Sequence, residues 1–155
     1  MRLCLPFLLL FAPSVFAREP ASHEALWHLR RLGSPVVSPD GRWAVFSVVE
    51  PAYEREQQVS DLWLVNLEGR PEPRRLTATP EGEEGVCWSP GSDRIAFVTQ
   101  RGKDSAAQVY LQPITQAGEA QRLTDLPGGA GQPCWSPDGR YLALESWVYP
   151  KASSL

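Results

Sequence analysis

Histidine is scarce in this sequence, and the two histidines lie close together. The 155 residues include only His23 and His28. A Ser-His-acid triad needs a histidine that reaches a serine, and a metal centre needs a cluster of His, Cys, Asp or Glu ligands. We predict that both histidines lie on one leading helix with no such cluster beside them. A catalytic or metal-binding role for either is therefore disfavoured.

Other motifs of catalysis and cofactor binding are absent as well. No Gly-x-Ser-x-Gly string occurs, and Cys87 and Cys134 lack the two-residue spacing of metal-binding pairs. The glycine-rich run at residues 128–131 falls between predicted strands, whereas a phosphate-binding loop precedes a helix. We therefore predict no catalytic residue, no cofactor-binding residue and no metal ligand in this chain, and we expect no cofactor.

The chain also lacks a basic excess and a long apolar run. Fifteen Lys and Arg stand against 18 Asp and Glu, which disfavours nucleic acid as a partner. The apolar stretch at residues 3–12 is too short to span a bilayer comfortably. Arg2 precedes it and Ala17 ends a small-residue site, so we predict a signal peptide over residues 1–17. The product should be periplasmic or secreted and free of the membrane after signal removal; a retained anchor is the alternative.

A Ser-Pro turn motif occurs three times in the sequence. Ser-Pro-Asp-Gly begins at Ser38 and Ser136, and Ser-Pro-Gly-Ser begins at Ser89, so the copies are 51 and 47 residues apart. Pro presets φ at the first turn position and Gly accepts a positive φ, which predicts a hairpin turn that closes with a left-handed residue. Aligned on Arg94, the middle copy carries one extra residue, so we expect a longer and different loop there.

Short β-branched and aromatic segments follow each turn, as in strands. A four-stranded unit of about 40–50 residues with a fixed turn is typical of one β-propeller blade. We predict an all-β partial propeller with two complete four-stranded blades plus half a third, over residues of about 34–80, 81–127 and 128–155. The predicted strands are 35–37, 43–49, 61–67 and 74–77, then 85–88, 94–99, 108–112 and 121–124, then 132–135 and 141–149.

A leading helix is predicted over residues 18–33. Ser22 is a suitable N-cap, Leu26, Leu29 and Leu32 form an apolar stripe, and Gly33 follows the last turn.

Aromatic residues recur at equivalent places in the repeats. Trp88 and Trp135 precede the turns, and Trp63 matches Tyr110 in the third strands. Large aromatics at a fixed repeat position fill the space between stacked sheets. We therefore assign Trp88 and Trp135 to packing between blades, in preference to ligand stacking, and Trp63 and Tyr110 to the core.

Aspartates and cysteines recur in the same way. Asp40, Asp93 and Asp138 are predicted to form turns, since their spacing differs from that of a calcium loop. Cys87 and Cys134 precede the two tryptophans. We expect them to remain free thiols, because equivalent strands of packed sheets lie about 10 Å apart and a disulfide needs a closer approach.

The turn motif, preceded by Trp and followed by an apolar strand, resembles the TolB-type propeller repeat. The order of signal peptide, short helix, Asp61-Leu62-Trp63-Leu64-Val65 and Arg74-Arg75-Leu76-Thr77 resembles the start of a secreted prolyl oligopeptidase-family serine peptidase, of the acylaminoacyl-peptidase or dipeptidyl-peptidase-like branch. The stretch from Glu145 to Pro150 is similar to part of that family's propeller.

This resemblance implies a propeller that gates peptide access to an α/β-hydrolase domain, which carries the catalytic Ser, Asp and His. None of those residues can be assigned here, so we expect this chain to be inactive alone and peptides to be substrates of a full-length parent. The alternative is a fragment of a non-enzymatic TolB-like periplasmic binding propeller. The last hairpin leaves an unpaired edge beside Leu142, Leu144 and Trp147, which predicts self-association of the isolated chain.

Overall fold

A computed structural model of the chain describes residues 22–52, 58–69, 72–116 and 118–148. The predicted signal peptide lies outside these residues, as does the end of the predicted third blade. No helix in the described ranges is long and apolar enough to cross a membrane.

The described residues form one short helix and eleven strands. The helix α1 is His23–Trp27. The strands are β1 Arg31–Leu32, β2 Val36–Val37, β3 Trp43–Val49, β4 Ser60–Asn66, β5 Arg74–Arg75, β6 Glu84–Trp88, β7 Arg94–Thr99, β8 Gln108–Pro113, β9 Gln121–Arg122, β10 Gly131–Trp135 and β11 Leu142–Glu145.

The strands form three antiparallel sheets. In sheet one, β1 and β2 both pair with β3, which pairs with β4, and β4 pairs with β5; sheet two has the order β6-β7-β8-β9, and sheet three is the hairpin β10-β11. Strands that follow one another in the chain therefore lie side by side, as in a propeller blade. The predicted all-β partial propeller is confirmed, with β1 and β2 serving as two segments of one interrupted inner strand.

The leading helix is shorter than predicted. Ser22 caps it as expected, since its Oγ accepts a hydrogen bond from the N–H of Ala25 at 3.1 Å. The helix ends at Trp27, however, and Arg31–Leu32 is a strand paired with the end of β3. The predicted helical conformation up to residue 33 was therefore wrong. A short isolated helix is marginally stable, and the edge of β3 offers the same backbone groups ladder hydrogen bonds instead.

The apolar core lies in two seams between the sheets. Seam one joins sheets one and two, and seam two joins sheets two and three. The buried core of seam one consists of Val45, Leu62, Leu64, Trp88, Ile95, Phe97, Tyr110 and Ile114. That of seam two consists of Ala96, Val98, Val109 and Ala130, with Leu142 and Leu144 packed against it. Sheet two therefore buries both of its faces.

The two aromatics predicted as core have different surroundings. Phe46 pairs with Trp63 as Phe97 pairs with Tyr110, so the two pairs are equivalent. Tyr110 is 7% exposed and belongs to seam one, as predicted. Trp63 is half-buried and lies outside both seams, because its chain neighbours Leu62 and Leu64 point into seam one and alternation turns Trp63 to the other face.

Candidate functional site: the inner strands and the seams

The three Ser-Pro turns have the same length. Backbone hydrogen bonds of 2.8–3.0 Å close them, from the N–H of Ser38 to the carbonyl of Trp43, from Ser89 to Arg94 and from Ser136 to Tyr141. The prediction of an extra residue and a longer loop in the middle copy was wrong. Ser92, with φ of 57°, occupies the position that Gly41 and Gly139 hold in the other two turns. Arg94 stands one position later in its turn than Arg42 and Arg140 do in theirs, so matching the arginines makes the middle loop look one residue too long. The backbone hydrogen bonds define the true register.

The three aspartates serve these turns. Asp40 Oδ1 accepts hydrogen bonds from the hydroxyl of Ser38 at 2.5 Å and the N–H of Arg42 at 3.0 Å, and Asp138 repeats both contacts in the third turn. These hydrogen bonds hold the pKa of both carboxyls below its ordinary value. The predicted turn-forming role is confirmed.

The aspartate of the middle turn also has a lowered pKa, although it occupies a different turn position. Asp93 stands where the other copies have arginine, and its carboxylate accepts hydrogen bonds from the side chains of Arg94 and Ser89, which lower its pKa. Within the described ranges, no group of three His, Cys, Asp or Glu side chains is placed to hold a metal ion.

The tryptophan before the second turn crosses seam one. Trp88 is 6% exposed, and its Nε1 donates a hydrogen bond to the carbonyl of Val36 in β2 at 2.9 Å. The predicted packing role of Trp88 is confirmed. Trp135 occupies the equivalent position in sheet three and is half-buried, but its buried Nε1 has no hydrogen-bond partner among the described residues.

A buried ion cluster lies beside seam one. The Glu83 side chain is fully buried, and its carboxylate accepts hydrogen bonds from Thr77 Oγ1, from Thr79 Oγ1 at 2.7 Å and from Arg101 Nη2 at 2.9 Å. Thr77 Oγ1 also accepts the N–H of Leu62 at 2.9 Å, so the cluster is tied into sheet one. Glu83 was not predicted from the sequence, since it lies in an acidic run that is typical of a solvated loop.

The sequence did contain one signal for this cluster. Arg-Leu-Thr ends both complete sheets, and in sheet two Thr124 Oγ1 accepts the N–H of Val109 just as Thr77 accepts that of Leu62. The repeated threonine therefore marks a position where a side chain replaces a ladder hydrogen bond.

Arg101 extends the cluster over the aromatic pair of sheet two. Its guanidinium carbon lies 5.4 Å from the ring centroid of Phe97 and 5.0 Å from that of Tyr110, within cation–π range. The Tyr110 hydroxyl donates a hydrogen bond to Asp104 Oδ2 at 2.8 Å. Burial, followed by this hydrogen bond, raises the pKa of Tyr110. These contacts link sheets one and two, and they engage the polar groups of Glu83, Arg101 and Tyr110 in structural interactions.

Two clefts open where the sheets diverge. The cleft at seam one has a volume of about 630 Å³ and is bordered by Ser47, Gln58 and the segment 80–86. The cleft at seam two has a volume of about 640 Å³ and is bordered by Ala106, the segment 128–132 and Trp147. Among the described residues, neither lining includes a histidine or a cysteine. The clefts are spaces beside the inner strands β6 and β10.

Both histidines lie on the surface. His23 stacks on Trp27 with ring centroids 6.5 Å apart, and His28 Nε2 lies 3.8 Å from Glu24 Oε1. Their exposed positions agree with the structural role that we preferred.

The two described cysteines occupy equivalent positions on the inner strands β6 and β10. Both are free thiols; Cys87 is half-buried and Cys134 is exposed. The 10 Å separation assumed for equivalent strands does not hold here, because Cα atoms of β6 and β10 approach within 8 Å. The Cys87 thiol donates a hydrogen bond to the carbonyl of Trp88 at 3.7 Å, and the Cys134 thiol donates one to the carbonyl of Trp135 at 3.9 Å.

Sheet order, repeated turns and stacked seams together define the class: the described chain is a segment of a TolB-like β-propeller. Its fold is similar to that of TolB from Acinetobacter baumannii, with a TM-score of 0.58, 24% identity and coverage of 79% of this chain and 27% of TolB. It is also similar to acylaminoacyl peptidase from Pyrococcus horikoshii, with a TM-score of 0.55, 15% identity and coverage of 83% of this chain and 20% of the peptidase. At these identities the likeness is one of fold.

Sequence comparison points to a particular relative. The chain is 31% identical over 84 residues to dipeptidyl-peptidase 5 of Porphyromonas gingivalis, which covers 54% of this chain and 12% of that protein. No family model matches the sequence. The resemblance to TolB-type repeats and to this kind of peptidase is thereby confirmed, although the chain spans only a small part of each relative.

Proposed function

We propose that this chain forms the first blades of the propeller of a secreted serine peptidase similar to dipeptidyl-peptidase 5. One observation carries the proposal: the sequence identity to that peptidase falls on a chain that folds as propeller blades. The features of residues 1–17 support export to the periplasm or the exterior. In this proposal the chemistry belongs to a hydrolase domain outside the chain, and peptides are its substrates.

The role of these blades is to restrict access. The inner strands β2, β6 and β10 face the propeller axis, so their side chains border any axial passage. The Trp88 indole and the Glu83–Arg101 ion pair hold sheets one and two in contact. A rigid ring of sheets admits extended or short peptides and excludes folded proteins.

A second candidate is a non-enzymatic TolB-like binding propeller. The observation that favours it is the fold comparison, in which TolB from Acinetobacter baumannii has a TM-score of 0.58 against 0.55 for the peptidase.

Active-site labelling of the natural gene product separates the two candidates. An antibody raised against this chain captures the product from its source cells, and a fluorophosphonate probe then labels activated serines. We expect the captured polypeptide to carry the probe on a serine outside residues 1–155 and to release dipeptides from peptide substrates. A captured product without label or peptidase activity would support the TolB-like candidate instead.

The isolated chain is the control for this experiment. It should remain unlabelled, because both of its histidines lie on the surface around α1. Labelling of a serine in residues 1–155 that disappears when the same serine is replaced by alanine would contradict the assignment of the chemistry to another domain.

We also propose that the isolated chain self-associates through β11. Among the described residues β11 pairs with β10 alone, whereas the equivalent strand β7 pairs on both sides. Trp147 and Val148 beside it are 81% and 84% exposed. Light scattering after size exclusion should show oligomers that the double change Trp147→Lys and Val148→Lys reduces, while Leu123→Lys on sheet two does not. A monodisperse monomer of the unchanged chain would contradict this proposal.

A further inference from the structure

The Ser92 side chain connects the first two Ser-Pro turns. The turns are numbered turn one, residues 38–43, turn two, residues 89–94, and turn three, residues 136–141. The backbone N–H of Asp40 in turn one donates a hydrogen bond to Ser92 Oγ in turn two at 3.1 Å. Ser92 is 3% exposed, so its hydroxyl is largely shielded from water. The hydrogen bond therefore joins two turns whose residues are far apart in the chain.

Ser92 has a backbone conformation that favours glycine. Its φ is 57°, and the other two turns have Gly41 and Gly139 at this position, with φ of 73° and 68°. A residue with a Cβ is destabilised in this left-handed region, whereas glycine is not. The hydrogen bond from the Asp40 N–H is a compensating contact that glycine could not provide, and strain of this kind is retained where the side chain has a task.

Turns two and three are in contact at the equivalent place, but without this hydroxyl. A Cβ placed on Gly139 would lie 3.8 Å from Pro90 Cδ and 3.9 Å from Pro90 Cγ, at ordinary van der Waals distance. Gly139 thus lies against turn two as Ser92 lies against turn one. Gly91 is the residue of turn two that is equivalent to Asp40. Since glycine has no side-chain oxygen, Gly139 cannot offer the Gly91 N–H the acceptor that Ser92 offers to Asp40.

We propose that Ser92 is a positioning residue that fixes the spacing of turns one and two. Turn one follows β2 and turn two follows β6. These inner strands border the axial passage in the proposed function, and the inference rests on that function. The hydroxyl makes the rim of the passage rigid between the first two blades, whereas the rim between turns two and three has no side-chain hydrogen bond at this position.

Hydrogen–deuterium exchange of the full chain, read at single amides by mass spectrometry, tests this proposal. The Asp40 amide should exchange about 5-fold or more slowly than the Gly91 amide, after correction for their intrinsic rates. Both Ser92→Ala and Ser92→Gly should abolish this difference, because neither side chain accepts a hydrogen bond. Exchange involves no peptidase activity, so a failure of this inference is distinguishable from a failure of the proposed function.

The stability of the same variants separates the hydrogen bond from the backbone strain. Ser92→Ala keeps a Cβ in the left-handed region and should lower the melting temperature by roughly 2–4 °C. Ser92→Gly relieves the strain and should lower it less. The reciprocal variant Gly139→Ser should slow exchange of the Gly91 amide by about 5-fold, because it places a hydroxyl at the equivalent position.

An exposed serine outside the turns gives the matched control. Ser105→Ala should leave exchange of the Asp40 amide unchanged. The amides of β3 and β7 report whether each variant retains the fold. The proposal is overturned if the Asp40 amide exchanges at the same rate in the unchanged chain and both Ser92 variants, or if Ser92→Gly deprotects β3 and β7 as strongly as Asp40. Unaltered exchange at Gly91 in Gly139→Ser would contradict the equivalence of the two contacts.

Discussion

The two faces of sheet two are built from side chains of different size. Towards sheet one, β7 presents Ile95 and Phe97, and towards sheet three it presents Ala96 and Val98. All four are at most 4% exposed, so both faces are buried equally well. One strand thus contributes large apolar groups to seam one and small ones to seam two.

This difference shows that equal burial does not mean equal stabilisation. Burial of a large apolar side chain contributes about 1.5–3 kcal/mol, and each methylene group less reduces this by about 0.8 kcal/mol. Seam one also has the Trp88 hydrogen bond and the Glu83–Arg101 ion pair. The Trp135 Nε1 atom, in the equivalent place on sheet three, has no hydrogen-bond partner among the described residues. We therefore expect seam one to dominate the free energy of unfolding.

Truncation of one side chain in each seam gives the largest expected effect. Phe97→Ala should lower the free energy of unfolding by about 3–5 kcal/mol, because it leaves a cavity beside Tyr110 and removes a ring under Arg101. Val98→Ala in seam two should lower it by about 1–2 kcal/mol. Urea denaturation followed by tryptophan fluorescence measures both values. Equal losses in the two variants would contradict the proposed dominance of seam one.

The ion pair of seam one gives the next effect. Glu83→Gln should destabilise the protein by about 2–3 kcal/mol, since it leaves the largely buried Arg101 guanidinium without its counter-charge. Glu68→Gln removes the exposed pair with Arg42 and should cost less than about 0.5 kcal/mol. Comparable urea midpoints for the two variants would show that the Glu83 pair adds nothing to seam one.

The inner strands offer a reciprocal exchange at one repeat position. Gly85 and Gln132 occupy the same place in the register shifts of β6 and β10, with φ of 63° and 49°. A Cβ on Gly85 would also lie 3.2 Å from Val98 Cγ2. Gly85→Gln should destabilise by about 1–2 kcal/mol, and Gln132→Gly should stabilise by less than about 1 kcal/mol. Thermal melts of both variants test the signs, and a stabilising Gly85→Gln would contradict the equivalence of the two positions.

The pH dependence of the middle turn gives the smallest effect. Hydrogen bonds from Arg94 and Ser89 hold the pKa of Asp93 below its ordinary value of 3.8. A carboxyl with a lowered pKa in the folded state stabilises the protein above the unfolded pKa, and this contribution is lost as the pH falls through the folded value. The free energy of unfolding should therefore fall less steeply below pH 3.8 in Asp93→Asn than in the unchanged protein. Denaturation series at several acidic pH values measure how the free energy of unfolding changes with pH. Identical slopes for the two proteins would show that Asp93 does not contribute to this pH dependence.

Most of the strand pattern was readable from local chemistry. The predicted strands 43–49 and 94–99 agree with β3 and β7 at both ends, since β-branched and aromatic runs bounded by Ser-Pro turns leave few other conformations. Ser22 as N-cap and Gly41 with a positive φ were predicted for the same reason.

The errors arose where a distant segment provides the partner. Residues 31–32 have a helical apolar pattern, but they lie within reach of the free edge of β3 and form β1. Trp63 and Tyr110 are equivalent in sequence, yet only Tyr110 faces another described sheet.

The sequence by itself determined the repeat, its turns and the alternation that gives each strand two faces, because these depend on φ preferences and side-chain periodicity within a few residues. Only the tertiary structure decided which faces meet and that Glu83 is buried against Arg101. Stacked sheets lie about 10 Å apart, whereas inner strands converge around a propeller axis, and that convergence follows from how whole sheets are arranged. The residues near a given position in the sequence do not specify that arrangement.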